Sequence, residues 1–258
     1  MSKDISTILS AWEFDPDEMP VRIVAGDDGR DKIQTRVDLG LLQMELDGRP
    51  DGGRPEGKES LLDALEARVA EATSSGSVTD FELDAPECAA LMREGVQYYQ
   101  RYLAAFHLER YDLVARDTAR NLRLFEFVRR HATRPFDKLQ FDQYRPYVTM
   151  MHARAKALQA LALNDHAEAI GAVDAGIAAI RVFLEEYDQA TREADCMELG
   201  FLLRWRRELE RDRPVGPLQR LEQQLAVAVE LEDFEEAALV RDQLRRLRGE
   251  GVAPGQPA

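Results

Sequence analysis

From Val21 to Leu46 apolar and polar residues alternate. Val21, Ile23 and Ala25 run up to the turn Gly26-Asp27-Asp28-Gly29-Arg30, and Ile33, Thr35, Val37, Leu39 and Leu41 alternate beyond it. A period of two on either side of a glycine turn predicts a β-hairpin. Past Gly40 the apolar phase moves to Leu42, Met44 and Leu46, which predicts a bulge or bend at the glycine. A lone hairpin is marginal in water. This one must therefore complete its sheet within the chain or add to a partner's edge. From about Lys58 to Ala72 the period becomes helical, with Leu61, Leu62, Leu65 and Val69 on one face.

The middle of the chain reads as helix throughout. Asp84, Pro86 and Glu87 supply an N-cap acid, an early proline and an acid at the third helical position, predicting a helix from there to about Leu108. Helix, break and helix follow from Glu109 to Tyr187. The segments starting near Tyr111 and His166 superpose at an offset of 55 residues, as second helices of antiparallel pairs. Small Ala157 and Ala169, where two helices must approach closely, and apolar Leu161, Ile170 and Val173 between the helices give residues 153–180 a resemblance to a tetratricopeptide repeat. The period is longer than that family's, and its aromatic and proline markers are missing. A further helix, about Ala190 to Glu210, carries Leu199, Leu202, Leu203 and Trp205.

Near the C-terminus, Leu218, Leu221, Leu225 and Ala228 recur at helical spacing. After Glu232-Asp233, so do Phe234, Ala237 or Ala238, Val240, Leu244 and Leu247. Two short amphipathic helices facing each other are predicted, with Asp233 and Glu236 capping the second. The residues Leu221, Leu225, Ala228, Glu232-Asp233-Phe234-Glu235, Ala237-Ala238, Arg241-Asp242, Leu244 and Leu247 closely resemble, without a gap, the UVR motif. That motif is the helical hairpin named for the excision-repair proteins UvrB and UvrC, and it is also present in McsA and in the ClpC middle domain. The resemblance covers about 30 of the 258 residues. It implies a protein-docking module without chemistry of its own, able to pair with another copy of itself, in excision repair or protein quality control. The candidate partner-binding residues are Leu221, Leu225, Phe234, Ala237, Ala238, Arg241, Asp242 and Leu244. Phe234 would anchor the docking face, the alanines would let helices approach, and Arg241 and Asp242 would form charge pairs at the rim. A hairpin this short cannot bury enough apolar area to stand alone. Its apolar stripe needs a partner surface or, alternatively, folds back as a structural cap.

Glycine and proline divide the chain into an acidic N-terminal module (1–76), a helical, TPR-like core (77–211), the UVR-like hairpin (215–248) and a flexible tail (249–258). The fold class expected is mainly α, a helical bundle or short solenoid with a small β-hairpin module in front. The net charge of −14 disfavours a binder of nucleic acid built on a basic surface. The acidity is concentrated in the first 84 residues, with nine basic and twenty acidic side chains. Two distant cysteines, Cys88 and Cys196, make neither a metal clip nor a disulfide framework. With no export signal and no membrane-length apolar run, the expected location is the cytoplasm.

Candidate chemistry elsewhere is sparse. Gly52 to Lys58 spells the start of a phosphate-binding loop, but Glu59 stands where a magnesium-binding Ser or Thr is needed, and Pro55 removes a backbone donor. The residues three before His107, His131, His152 and His166 are Ala104, Val128, Thr149 and Leu163, so the di-iron Glu-x-x-His pattern is missing. No metal, no cofactor and no catalytic constellation is expected. Arg116, Arg120, Arg123, Arg129, Arg130 and Arg134, with Arg204, Arg206 and Arg207, are read as solvated faces with ion pairs, or as acceptors of the acidic N-terminal module. The function expected is a non-enzymatic adaptor whose partner is a protein, either another bearer of the motif or a second copy of this chain. The alternative is a DNA-repair accessory factor contacting nucleic acid through those arginines.

Overall fold

The structure is a computed structural model, and it describes residues 4–74, 81–213 and 217–248. Residues 1–3, 75–80 and 214–216, and the stretch 249–258 expected to be a flexible tail, lie outside the described residues. The chain divides into two compact units, Met1–Glu210 and Arg211–Ala258. Among the described residues there are ten α-helices and one small antiparallel sheet.

The first unit opens with α1 (Ser6–Ser10) and a three-stranded sheet, β1 (Val21–Ala25), β2 (Asp31–Val37) and β3 (Gly40–Glu45), in the order β1-β2-β3. The expected bend at Gly40 is a complete turn. Val37 pairs with Gly40 across Asp38-Leu39, so what reads as one bent strand is two. The phase change follows from this register, because odd residues of β2 face even residues of β3, as Ile33 faces Met44. The Arg36 guanidinium holds the turn by donating to the carbonyls of Val37, Asp38 and Gly40. The sheet is thus completed within the chain. Ile33 and Met44 carry its inner face into the core beside Tyr102, Ala105 and Val114. Its outer face is screened by the segment ahead of it, where Arg36 donates to Trp12 O and the Arg22 guanidinium lies 4.0 Å from the Trp12 ring centre.

The helices follow as α2 (Leu61–Ser74), α3 (Ala85–His107), α4 (Tyr111–His131), α5 (Pro135–Asp142), α6 (Arg145–Ala162), α7 (His166–Glu186) and α8 (Met197–Arg211). The start of α3 is the reciprocal capping box read from sequence: Glu87 N donates to the Asp84 carboxylate at 2.8 Å and Asp84 N to the Glu87 carboxylate at 3.1 Å. The expected helix from Ala190 begins instead at Met197. Residues Ala190–Asp195 form a separate 3-10 turn, and extended Cys196 interrupts the chain between them.

Helices α3–α4 and α6–α7 are hairpins with three-residue connections, and α4 packs on α6. Their two turns are built alike. A left-handed residue, Glu109 or Asn164, precedes the second helix, and the next residue donates its amide five residues back, Arg110 to Ala105 O and Asp165 to Ala160 O, both at 2.9 Å. This closure satisfies carbonyls at the end of the first helix. It also explains why the segments at Tyr111 and His166 superpose.

Close helix approach is set by small residues. A Cβ added at Gly176 of α7 would lie 2.6 Å from the Ala153 Cβ and 3.1 Å from Leu202 Cδ1. Gly176→Ala is expected to cost about 1–3 kcal/mol through overpacking, measured as a fall in the urea midpoint at unchanged slope.

One histidine is set into the α4–α6 interface. His152 Nδ1 lies 3.0 Å from Thr118 Oγ1 and 3.1 Å from Ala115 O, and burial, with Lys156 nearby, pulls its pKa below 6.5. The unfolded chain therefore binds the proton more readily. The stabilising contribution of neutral His152 is fully present above pH 6.5 and is lost as pH falls below it. His152→Gln is expected to flatten this part of the stability–pH curve, measured by urea unfolding at pH 7.5 and 5.5.

Candidate docking site

The second unit is a helical hairpin, α9 (Pro217–Glu230) and α10 (Phe234–Leu247). Its turn repeats the closure of the two hairpins above: Glu232 is left-handed and Asp233 donates its amide to Ala228 O at 2.8 Å. The Asp233 carboxylate then accepts from Glu236 N at 3.1 Å, fixing the first turn of α10. A non-glycine residue in this region costs roughly 1–2 kcal/mol, partly offset by the greater chain entropy a glycine brings. Glu232→Gly is expected to stabilise the hairpin by roughly 0.5–1 kcal/mol, measured as slower hydrogen exchange of the α10 amides.

The seam between the helices is narrow. Ala228 on α9 and Ala237, Val240 and Leu244 on α10 are buried, with Val240 only 2% exposed. Leu221 and Leu225 are half-buried beside it. The remaining apolar side chains point away from the seam: Phe234 is 72% exposed and Leu231 74%, and Val227, Val229, Leu239 and Leu247 are each more than half exposed.

The predicted site residues therefore divide. Ala237 and Leu244 hold the hairpin closed and are covered in it. Leu221, Leu225 and Ala238 flank the seam half-buried, while Phe234, Arg241 and Asp242 face outward. Leu225, Ala226 and Val229 of α9, with Arg241, Leu244 and Arg245 of α10, border one open groove of about 570 Å³, and the Glu222–Arg248 ion pair at 2.5 Å joins the helices beside it. Val229 and Arg245 were not singled out from sequence. Each lies four residues from one that was, Leu225 and Arg241, so helical spacing carries the signal. Arg241 has Asp242 as a neighbour at 3.6 Å, both more than half exposed, leaving charge available at the rim.

Of the arginines singled out in the first unit, all but Arg204 and Arg207 face an acid. Arg116 reaches Asp47 at 2.8 Å and Asp117 at 3.1 Å; Arg123 reaches Asp63 and Glu66; Arg129 and Arg130 reach Glu126; Arg134 reaches Asp137 and Arg206 reaches Asp174. Arg116 and Arg123 thus receive acids of the N-terminal segment in the same chain. Arg120 is almost wholly buried against Glu94, whose carboxylate also accepts from the amides of Leu61 and Leu62 at the start of α2.

The other candidates are placed as follows. Residues 52–58 form a turn and a short 3-10 segment in which Glu56 is left-handed and pairs with Arg68. Burial pushes the Cys88 thiol up to about 11, and Cys196 is also raised. Among the described residues, no group of three His, Cys, Asp or Glu side chains is arranged to hold a metal ion, and no helix is long and apolar enough to cross a membrane.

Comparison with known proteins singles out the same hairpin. No curated protein and no solved structure matches the chain, so the tetratricopeptide likeness of the middle helices is not confirmed. Residues 217–250 match the family described as the UvrB/uvrC motif, and the segment that folds as α9 and α10 carries that motif.

Proposed function

We propose that this chain is a non-enzymatic adaptor that docks a protein partner on the outward side of the α9–α10 hairpin, in excision repair or protein quality control in the cytoplasm. The observation that carries this reading is the hairpin's division of its apolar residues. Two alanines, a valine and a leucine close the seam, while Phe234 stays exposed at the start of α10 and Val229 borders the groove with Arg241 and Arg245. Exposed aromatic and arginine side chains on one short hairpin are the residue types that concentrate binding energy at protein interfaces. The partner is a second surface of the same kind, either another protein bearing the motif or a second copy of this chain. The carboxylates that engage the arginines of α4 weigh against the nucleic-acid alternative, since paired guanidinium groups contribute little to phosphate binding.

The test places a photoreactive benzoylphenylalanine at position 234 of the full chain in its native cytoplasm, and at Leu39, the 88% exposed tip of the β2–β3 turn, as control. Cross-links to a discrete protein from position 234 and not from position 39 support docking there. Equal cross-linking from both positions, or none from position 234, contradicts it.

A further inference from the structure

A cavity of about 410 Å³ opens among α3, α4, α5 and α6 of the first unit, and no residue of the docking hairpin lines it. Its wall is aromatic: Tyr99, Tyr102, Phe125, Phe141, Tyr144 and Tyr147. The rings brace one another edge to face, Tyr99 to Tyr102 at 5.4 Å, Tyr99 to Tyr147 at 6.4 Å and Phe125 to Phe141 at 6.2 Å between centres, so the walls are set before anything enters.

The lining selects by charge. No Asp, Glu, Lys, Arg or His is among the described residues that border the cavity. An ion moved into it would lose hydration without gaining a counter-charge. Asn121 is already engaged, donating to Gly95 O at 3.0 Å and accepting from Arg120 at 3.1 Å. Tyr102 is different. It is wholly buried, and its hydroxyl has no hydrogen-bond partner among the described residues. Burial, with Tyr147 and Tyr99 beside it, holds the phenol far above its ordinary range, so it adds no charge behind the wall. The volume lies within the range of small-molecule sites, roughly 300–1,000 Å³, and the entrance is at half-exposed Val96 and Tyr144.

We propose that this cavity binds a neutral, flat aromatic small molecule, its ring among Tyr99, Phe141 and Tyr147. The probes are 2-acetylnaphthalene, a neutral ketone, and 2-naphthoate, its anionic counterpart, titrated into the full chain and followed by ligand-observed NMR. Saturable binding of the ketone, with the carboxylate at least about tenfold weaker, is expected from the uncharged lining. Val96→Trp, at a half-exposed position in the mouth, is expected to weaken the ketone at least about tenfold by filling the entrance. The proposal is overturned if the ketone does not bind, or if the carboxylate binds as tightly, a comparison that needs no variant. It is equally overturned if Val96→Trp holds the ketone like the parent chain, which would place the ligand outside this cavity.

Discussion

Arg101→Met is expected to destabilise the first unit by about 3–5 kcal/mol, the cost of stranding a buried charge. Arg101 and Asp117 are both essentially inaccessible, and the guanidinium grips the carboxylate through two bonds, Nε to Oδ2 at 2.6 Å and Nη2 to Oδ1 at 2.9 Å. The remaining nitrogen, Nη1, donates to the carbonyls of Glu45 at 2.9 Å and Gly48 at 2.8 Å, where β3 leaves the sheet. One side chain therefore joins α3, α4 and the N-terminal sheet. Methionine matches its stem but leaves Asp117 with only the partly exposed Arg116 for company, and it orphans two carbonyls. In a unit of this size each kcal/mol moves the melting temperature by about 2–4 °C, so a fall on the order of 10 °C is expected. The double variant Arg101→Met, Asp117→Leu removes both charges and is expected to recover much of the loss, because apolar replacement of a whole buried pair is often near neutral. A single variant within 1 kcal/mol of the parent in urea unfolding, an approximate threshold, would show that the pair is not what joins the sheet to the helices.

The second large effect separates the two sides of the hairpin. Val240→Asp places a carboxylate in a seam where the valine is 2% exposed. Burying it without a partner costs several kcal/mol at least, more than a two-helix hairpin of this length has to lose. The helix content of residues 217–247 is expected to disappear, and partner binding with it. Phe234→Asp removes as much apolar surface but from a side chain that is 72% exposed. The new acid sits at the first residue of α10, where the helix dipole favours negative charge. The fold is therefore expected to stay intact while partner affinity falls about a hundredfold or more, the range for loss of a central aromatic anchor. Circular dichroism and a binding titration on both variants separate a folding defect from a docking defect.

The elements with the strongest local chemistry were legible in the sequence. Asp84-Ala85-Pro86-Glu87 announced its capping box, Asp233 its cap, and the seam spacing from Leu221 to Leu244 its two helices, because each depends on residues within one or two turns of each other. In the sequence the pair β2–β3 looks like one strand with a bend, since a two-residue turn reverses the chain with almost no interruption of alternation and only the phase change at Gly40 marks it. Whether a site residue faces inward or outward depends on which neighbours the partner helix covers. Ala237, Leu244 and Phe234 look equally apolar in the sequence, and only the packing of α9 on α10 distinguishes them. The buried Arg101–Asp117 and Arg120–Glu94 pairs were invisible for the same reason. Spacings of 16 and 26 residues carry no periodic signal, and charged residues read by default as surface.

The measurement that bears most directly on the central claim is capture of partners from the native cytoplasm on the intact chain and on Phe234→Asp, after circular dichroism shows equal helix content. The account predicts a partner retained by the intact chain and lost from the variant. If both baits hold the same proteins with the same affinity, the outward side of α9–α10 is not a docking surface and the proposed function is wrong.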